Sequence, residues 1–186
     1  MKKLLIISML MSAALMSCGG GNHRQEPDAL AVEAMEAVDA IYSHVFEVYN
    51  QYLDMEGIED ASYDSMLVFD ERYLSSDYLA LYRQVMAVDS LYASDGIGFF
   101  DYDHWIQGQD WDKLSFRIDT AWTVSPSEVH VKLTISNFGQ ITVELPMVKE
   151  ADGWKIGDFI TFGPGAGSEL QAMKEYVDIE HESDPD

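Results

Sequence analysis

The chain has 186 residues, 33 acidic side chains against 11 basic ones, and a formal charge of −22. So negative a body repels phosphate backbones and anionic lipid surfaces, which excludes nucleic acid as a partner and leaves cations or basic proteins compatible. One cysteine cannot build a disulfide framework, so the fold must rest on a hydrophobic core, for which this length suffices.

Met1-Lys2-Lys3 supplies positive charge ahead of an apolar run from Leu4 to Met16. That run is well short of the ~20 residues that span a bilayer and has the layout of an export signal. With Leu15-Met16-Ser17-Cys18-Gly19 it resembles a bacterial lipoprotein signal. The resemblance implies cleavage before Cys18 and acyl chains on its sulfur and nitrogen, anchoring the protein in a membrane. An ordinary secretory signal with an incidental cysteine is the alternative. Gly19 carries no aspartate retention signal, and no acidic cluster follows the cysteine. By the same resemblance, the expected location is the bacterial outer membrane, facing the periplasm. Residues 1–17 are thus expected to be the signal peptide, and 18–27 the lipidated cysteine with a flexible, glycine-rich tether of at most about 30 Å.

The body is expected over 28–163. Asp28 can cap a first helix in which Met35, Val38, Ile41, Val45 and Tyr49 recur at helical spacing. A short helical segment follows from Tyr63 to Phe69. A third helix begins with the capping residues Ser75-Ser76-Asp77 and runs to about Tyr92, with Tyr78, Tyr82, Val85 and Met86 on its buried side. Ser94-Asp95-Gly96-Ile97-Gly98 stops it.

After residue 112 the period changes from 3.6 to 2. Phe116, Ile118, Thr120 and Trp122 alternate, as do Val129, Val131, Leu133 and Ile135, then Ile141, Val143, Leu145 and Met147. Trp154 and Ile156 open a fourth strand ending near Thr161. Connections as short as Asn137-Phe138-Gly139 and Ala151-Asp152-Gly153 require antiparallel neighbours. Helices first and a meander second make an α+β fold, with the helices covering the apolar face of the sheet. Residues 164–186 read as an acidic tail with a possible short helix from Ser168 to Val177, disordered from Asp178 onward.

The long strand ending in Val148-Lys149-Glu150, the Ala151-Asp152-Gly153 turn and Trp154-Lys155-Ile156-Gly157-Asp158 resemble the ending of the nuclear transport factor 2-like (cystatin-like) superfamily. Tyr73-Leu74-Ser75 before a helix, with Asp101-Tyr102-Asp103…Gln109-Asp110 after it, resembles a branch of exported bacterial proteins of unknown function. The resemblance implies N-terminal helices packed in the hollow of a curved antiparallel sheet of about four strands, a cone. It implies no particular activity, because the superfamily contains isomerases, dehydratases, transport factors and binding domains. None of its catalytic positions maps onto this chain.

The stretch FFDYDHWIQGQDWD, residues 99–112, packs four acids, one histidine, two amides and five aromatics into fourteen residues. Asp101, Asp103 and Asp110 offer oxygen ligands suited to calcium, but Ile106 stands where a calcium loop needs glycine. No other cofactor is indicated. Asp103 and His104 are the candidates for acid–base chemistry, Asp103 as a base if held against the Trp105 indole. Tyr82, Trp105, Gln107 and Gln109 are candidates to line a ligand pocket. The plainest reading is closure of one end of the cone, with the aromatics inward and the aspartates capping turns. Three functions follow: a lipid-anchored envelope module binding an unknown small molecule or protein; a small isomerase, dehydratase or hydrolase using Asp103 and His104; and an immunity-type protein whose acidic surface binds a basic partner. The sequence favours the first, without excluding an enzyme.

Overall fold

A computed structural model describes residues 28–53, 64–91, 98–163 and 167–183. The signal segment, Cys18, the tether and most of the stop signal after the third helix lie outside the described residues.

Helix α1 (Ala29–Leu53) starts as its cap requires: the Ala31 amide donates to Asp28 Oδ1 at 2.9 Å. Its apolar stripe, Val38, Ile41, Tyr42, Val45 and Tyr49 among it, is buried. Helices α2 (Asp64–Tyr73) and α3 (Ser76–Leu91) follow, the second capped by Ser75 Oγ, which accepts from the Tyr78 amide at 3.2 Å. On α3, Tyr78, Val85 and Val88 are buried. Met86, expected on that side, is 44% exposed, because Val88 takes the inward position.

Strands β1 (Ser115–Ser125), β2 (Glu128–Ser136) and β3 (Gln140–Glu150) form a curved, open antiparallel sheet. Its centre is the register Val129 to Met147, Val131 to Leu145 and Leu133 to Val143, all fully buried, with α1 packed across β1 and β2. The alternation expected along β1 fails halfway. A register shift between Ile118 and Thr120 inserts one residue, so that Ala121 points inward and Trp122 outward, 39% exposed. One extra residue in a period-two element exchanges its faces.

Gly153 opens β4 (Gly153–Ile156) at φ 132°, in the left-handed region that side chains avoid, and this fixes the tight turn from β3. The expected fourth strand is two pieces, β4 and β5 (Ile160–Thr161), which pair with successive stretches of β3. Between them Asp158 turns inward. Its Oδ1 accepts the Phe159 and Leu170 amides at 2.8 and 2.9 Å, and its Oδ2 the Ser168 hydroxyl at 2.6 Å. Those bonds clamp the start of α4 (Glu169–Ser183) to the sheet. The helix packs on α3, buries Met173 and Val177, and continues to Ser183. Disorder from Asp178, expected from acidic composition, gives way to helix as far as Ser183, with Asp178 itself exposed beside the buried Val177. The body likewise extends beyond residue 163.

Candidate functional site

The aromatic-acidic stretch forms an ordered closure between α3 and β1. Its entry is held by Asp89, whose carboxylate accepts the Phe99 amide at 3.0 Å. A Cβ on Gly98 would lie 2.5 Å from that carboxylate, so any larger residue there would have to displace the Asp89 side chain. At its tip the Asp103 amide donates to Gly108 O at 2.9 Å, closing a small turn with Gln107 at φ 53°. The turn pushes His104, Trp105 and Ile106 into the core, leaving Trp105 only 2% exposed. Its exit is tied to α1: the Trp111 indole donates to Tyr49 O at 3.2 Å, and the Leu114 amide to Asn50 Oδ1 at 2.7 Å.

His104 is buried between two carboxylates from distant elements. Its Nε2 lies 3.2 Å from Asp70 Oδ1 on α2 and its Nδ1 3.5 Å from Glu169 Oε1 on α4. The ring stacks on Phe159, centroids 4.7 Å apart. Each carboxylate has further donors. The Trp105 indole donates to Asp70 Oδ1 at 2.8 Å, the Tyr102 hydroxyl to Glu169 Oε2 at 2.6 Å, and the Tyr78 hydroxyl to Glu169 Oε1. Burial alone pushes the imidazole towards neutrality. The hydrogen bonds and charges of Asp70 and Glu169 outweigh it and raise the His104 pKa to about 10. Burial works against Glu169 too, but His104 and the two hydroxyls hold its carboxyl below the ordinary value. Burial, then Glu169, raises both Tyr78 and Tyr102, so these phenols stay protonated donors.

Beside this network opens a pocket of about 350 Å³. Tyr49, Asp70 and Tyr82 enter it from the helices, and Phe100, Asp101 and Tyr102 from the loop, with Asp103, His104, Trp105 and Gln109 completing the wall. The structure thus gathers most of the residues singled out in sequence, and it reassigns several. Gln107 lies outside, its amide donating to His104 O at 2.7 Å to close the turn. Asp110 is exposed on the far side of the loop, where its carbonyl accepts from Asn137 Nδ2 at 2.9 Å.

Of the aspartates expected to cap turns, Asp103 is the one that does so at the tip of the loop. Asp103 Oδ1 accepts the Trp105 amide at 2.8 Å, and Oδ2 the Tyr49 hydroxyl. Asp103→Ala is therefore expected to cost about 1–3 kcal/mol by orphaning those donors. Asp101→Asn, at an exposed rim, should stay within about 0.5 kcal/mol. Urea denaturation of the two variants checks the pair, and equal losses would contradict the assignment. Asp103, expected to act as a base if held against the indole, instead accepts the Trp105 backbone amide, and each of its oxygens already takes one hydrogen bond.

His104 has both nitrogens facing carboxylates and remains an imidazolium at neutral pH, with no lone pair to take a proton or bind a metal. Among the described residues, no group of three or more His, Cys, Asp or Glu side chains is arranged to hold a metal ion, and Asp101, Asp103 and Asp110 are not brought together as one. Sequence reasoning missed Asp70, Glu169 and Asp158. Glu169 reads locally as a favourable acid in the first turn of a helix, which says nothing of a histidine in another loop.

No family model matches the chain, and no curated protein matches it. Among solved structures, a phospholipid-binding protein from Ralstonia solanacearum, in complex with a phospholipid, aligns with 82% of this chain and 97% of its own, at 12% identity and a TM-score of 0.32. A likeness that weak carries no argument about fold or ligand.

Proposed function

We propose that this protein is a lipid-anchored module of the bacterial cell envelope that binds a small organic ligand in the pocket between α2, α3 and the loop. The observation that carries this reading is the pocket itself: a concavity of about 350 Å³, in the size range of small-molecule sites, walled by rings and carboxylates. Its walls are braced by the buried Asp70–His104–Glu169 network, which favours binding over chemistry, since the imidazolium has no free nitrogen. The order of helices followed by a curved sheet supports kinship with the nuclear transport factor 2-like superfamily.

A ligand screen tests the pocket. Compounds that bind should shift the Trp105 indole resonance, and Tyr82→Trp, which fills the space, should abolish the shift. If a broad set of compounds bound without reaching Trp105, the pocket reading would fail.

Anchoring is carried by the residues around Cys18. Among the described residues no helix is long and apolar enough to cross a membrane. Cys18→Ser is expected to abolish acyl labelling and release the protein from the membrane fraction, and undiminished membrane retention would sink the claim. Resistance to protease added to intact cells is the result expected of a protein facing the periplasm.

A further inference from the structure

Among the described residues of the pocket wall most donors are spent, the Tyr82 hydroxyl apart. The Tyr49 hydroxyl and the Trp105 amide go to Asp103, the Trp105 indole to Asp70, and the Tyr102 hydroxyl to Glu169. Gln109 Nε2 donates to Asp101 O at 2.8 Å, and both His104 nitrogens face carboxylates. What the wall still offers is acceptor capacity on Asp70, Asp101 and Asp103, each carboxylate having about four lone-pair directions. Next to those acceptors stand aromatic faces: Tyr82 and Phe100 meet at a centroid distance of 5.2 Å and a tilt of 41°. Among the described residues no lysine or arginine lines the space.

Resting on the pocket reading above, we propose that the site takes a primary ammonium group, on a small amine or at the tip of a lysine side chain. Three N–H donors match the surplus acceptors, the positive charge answers a wall whose single cation is already neutralised by two carboxylates, and the ring faces attract it further. A carboxylate or phosphate would meet like charge and find few donors.

The test uses three probes of one shape and different charge: phenethylammonium, neutral 2-phenylethanol and anionic 3-phenylpropanoate, titrated against the folded protein with the Trp105 indole resonance as readout. The ammonium is expected to bind at least about tenfold more tightly than either analogue, a gap near 1.4 kcal/mol, and to weaken with added salt. Asp101→Asn should lower its affinity about threefold at unchanged melting temperature, and Phe100→Ala by a similar factor. A neutral analogue that binds as well as the cation, or an anion that binds best, overturns the inference and leaves the pocket standing. Silence from all three also overturns it, and the broader screen then judges the pocket separately. Nα-acetyl-lysine methylamide, run alongside, identifies the source. Tighter binding than phenethylammonium points to a protein side chain, weaker binding to a free amine, and both keep the ammonium.

Discussion

Glu169→Ala is expected to lower stability by about 3–5 kcal/mol, the cost of breaking a buried ion pair and leaving its partner without its counter-charge. The loss exceeds what one helix residue is worth because Glu169 serves three groups on two other elements: His104 and Tyr102 in the loop, and Tyr78 on α3. The pH dependence gives an independent reading. His104 rises from an ordinary 6.5 to about 10 on folding, so its contribution is complete below pH 6.5 and is lost as pH climbs towards 10. Glu169 is lowered, so its contribution is present above its ordinary 4.5 and is lost as pH falls through its folded value. Stability is therefore expected to peak in mildly acidic to neutral solution and to fall steadily between pH 7 and 9.5, before tyrosine ionisation in the unfolded chain adds its own loss. In Glu169→Ala that alkaline slope should flatten. Denaturant titrations at several pH values check both, and an unchanged slope in the variant would show that the imidazolium does not depend on this carboxylate.

Trp105→Ala is expected to cost about 3–5 kcal/mol, the range for truncating a large buried aromatic. Its ring makes edge or tilted contacts with Tyr42, Phe69, Tyr73, Phe159 and His104, and its indole nitrogen bonds Asp70. Trp105→Phe keeps much of the packing but removes the donor to Asp70, and should lie between the variant and the parent. Hydrogen exchange adds a second measure. In the parent, the Asp103 and Gly108 amides, which bond across the turn at 2.9 and 3.3 Å, should be protected, and in Trp105→Ala they should exchange freely. A stability loss below about 1 kcal/mol would mean that the loop is not held by this ring.

How much of this was legible depends on distance along the chain. The alternation in β2 and β3 follows directly from period two on a half-buried sheet, and the Asp28 cap acts on an amide three residues away. The burial of the loop aromatics could also be argued locally, since so many rings cannot all stay in water. Where reading failed, one inserted residue or one remote partner decided the outcome. The shift near Asp119 reverses the faces of β1 without altering composition, and Asp158 cuts a strand in two because its carboxylate is needed at the start of α4. Asp70 and His104 are separated by 34 positions, and Tyr78 and Glu169 by 91. No periodicity spans such gaps, and a lone acid on a helix looks the same whether it faces solvent or an imidazole.

Because the second counter-charge of His104 comes from α4, the network is completed only when that helix docks on α3 and the sheet. Until that helix docks, the imidazole faces Asp70 without its second carboxylate. A chain cut before Glu169 should thus hold the sheet nucleus but no finished network behind the pocket wall. The same dependence makes the pocket wall and the global fold rise and fall as one cooperative unit, so that any occupant of the pocket would be felt as far away as the clamp at Asp158.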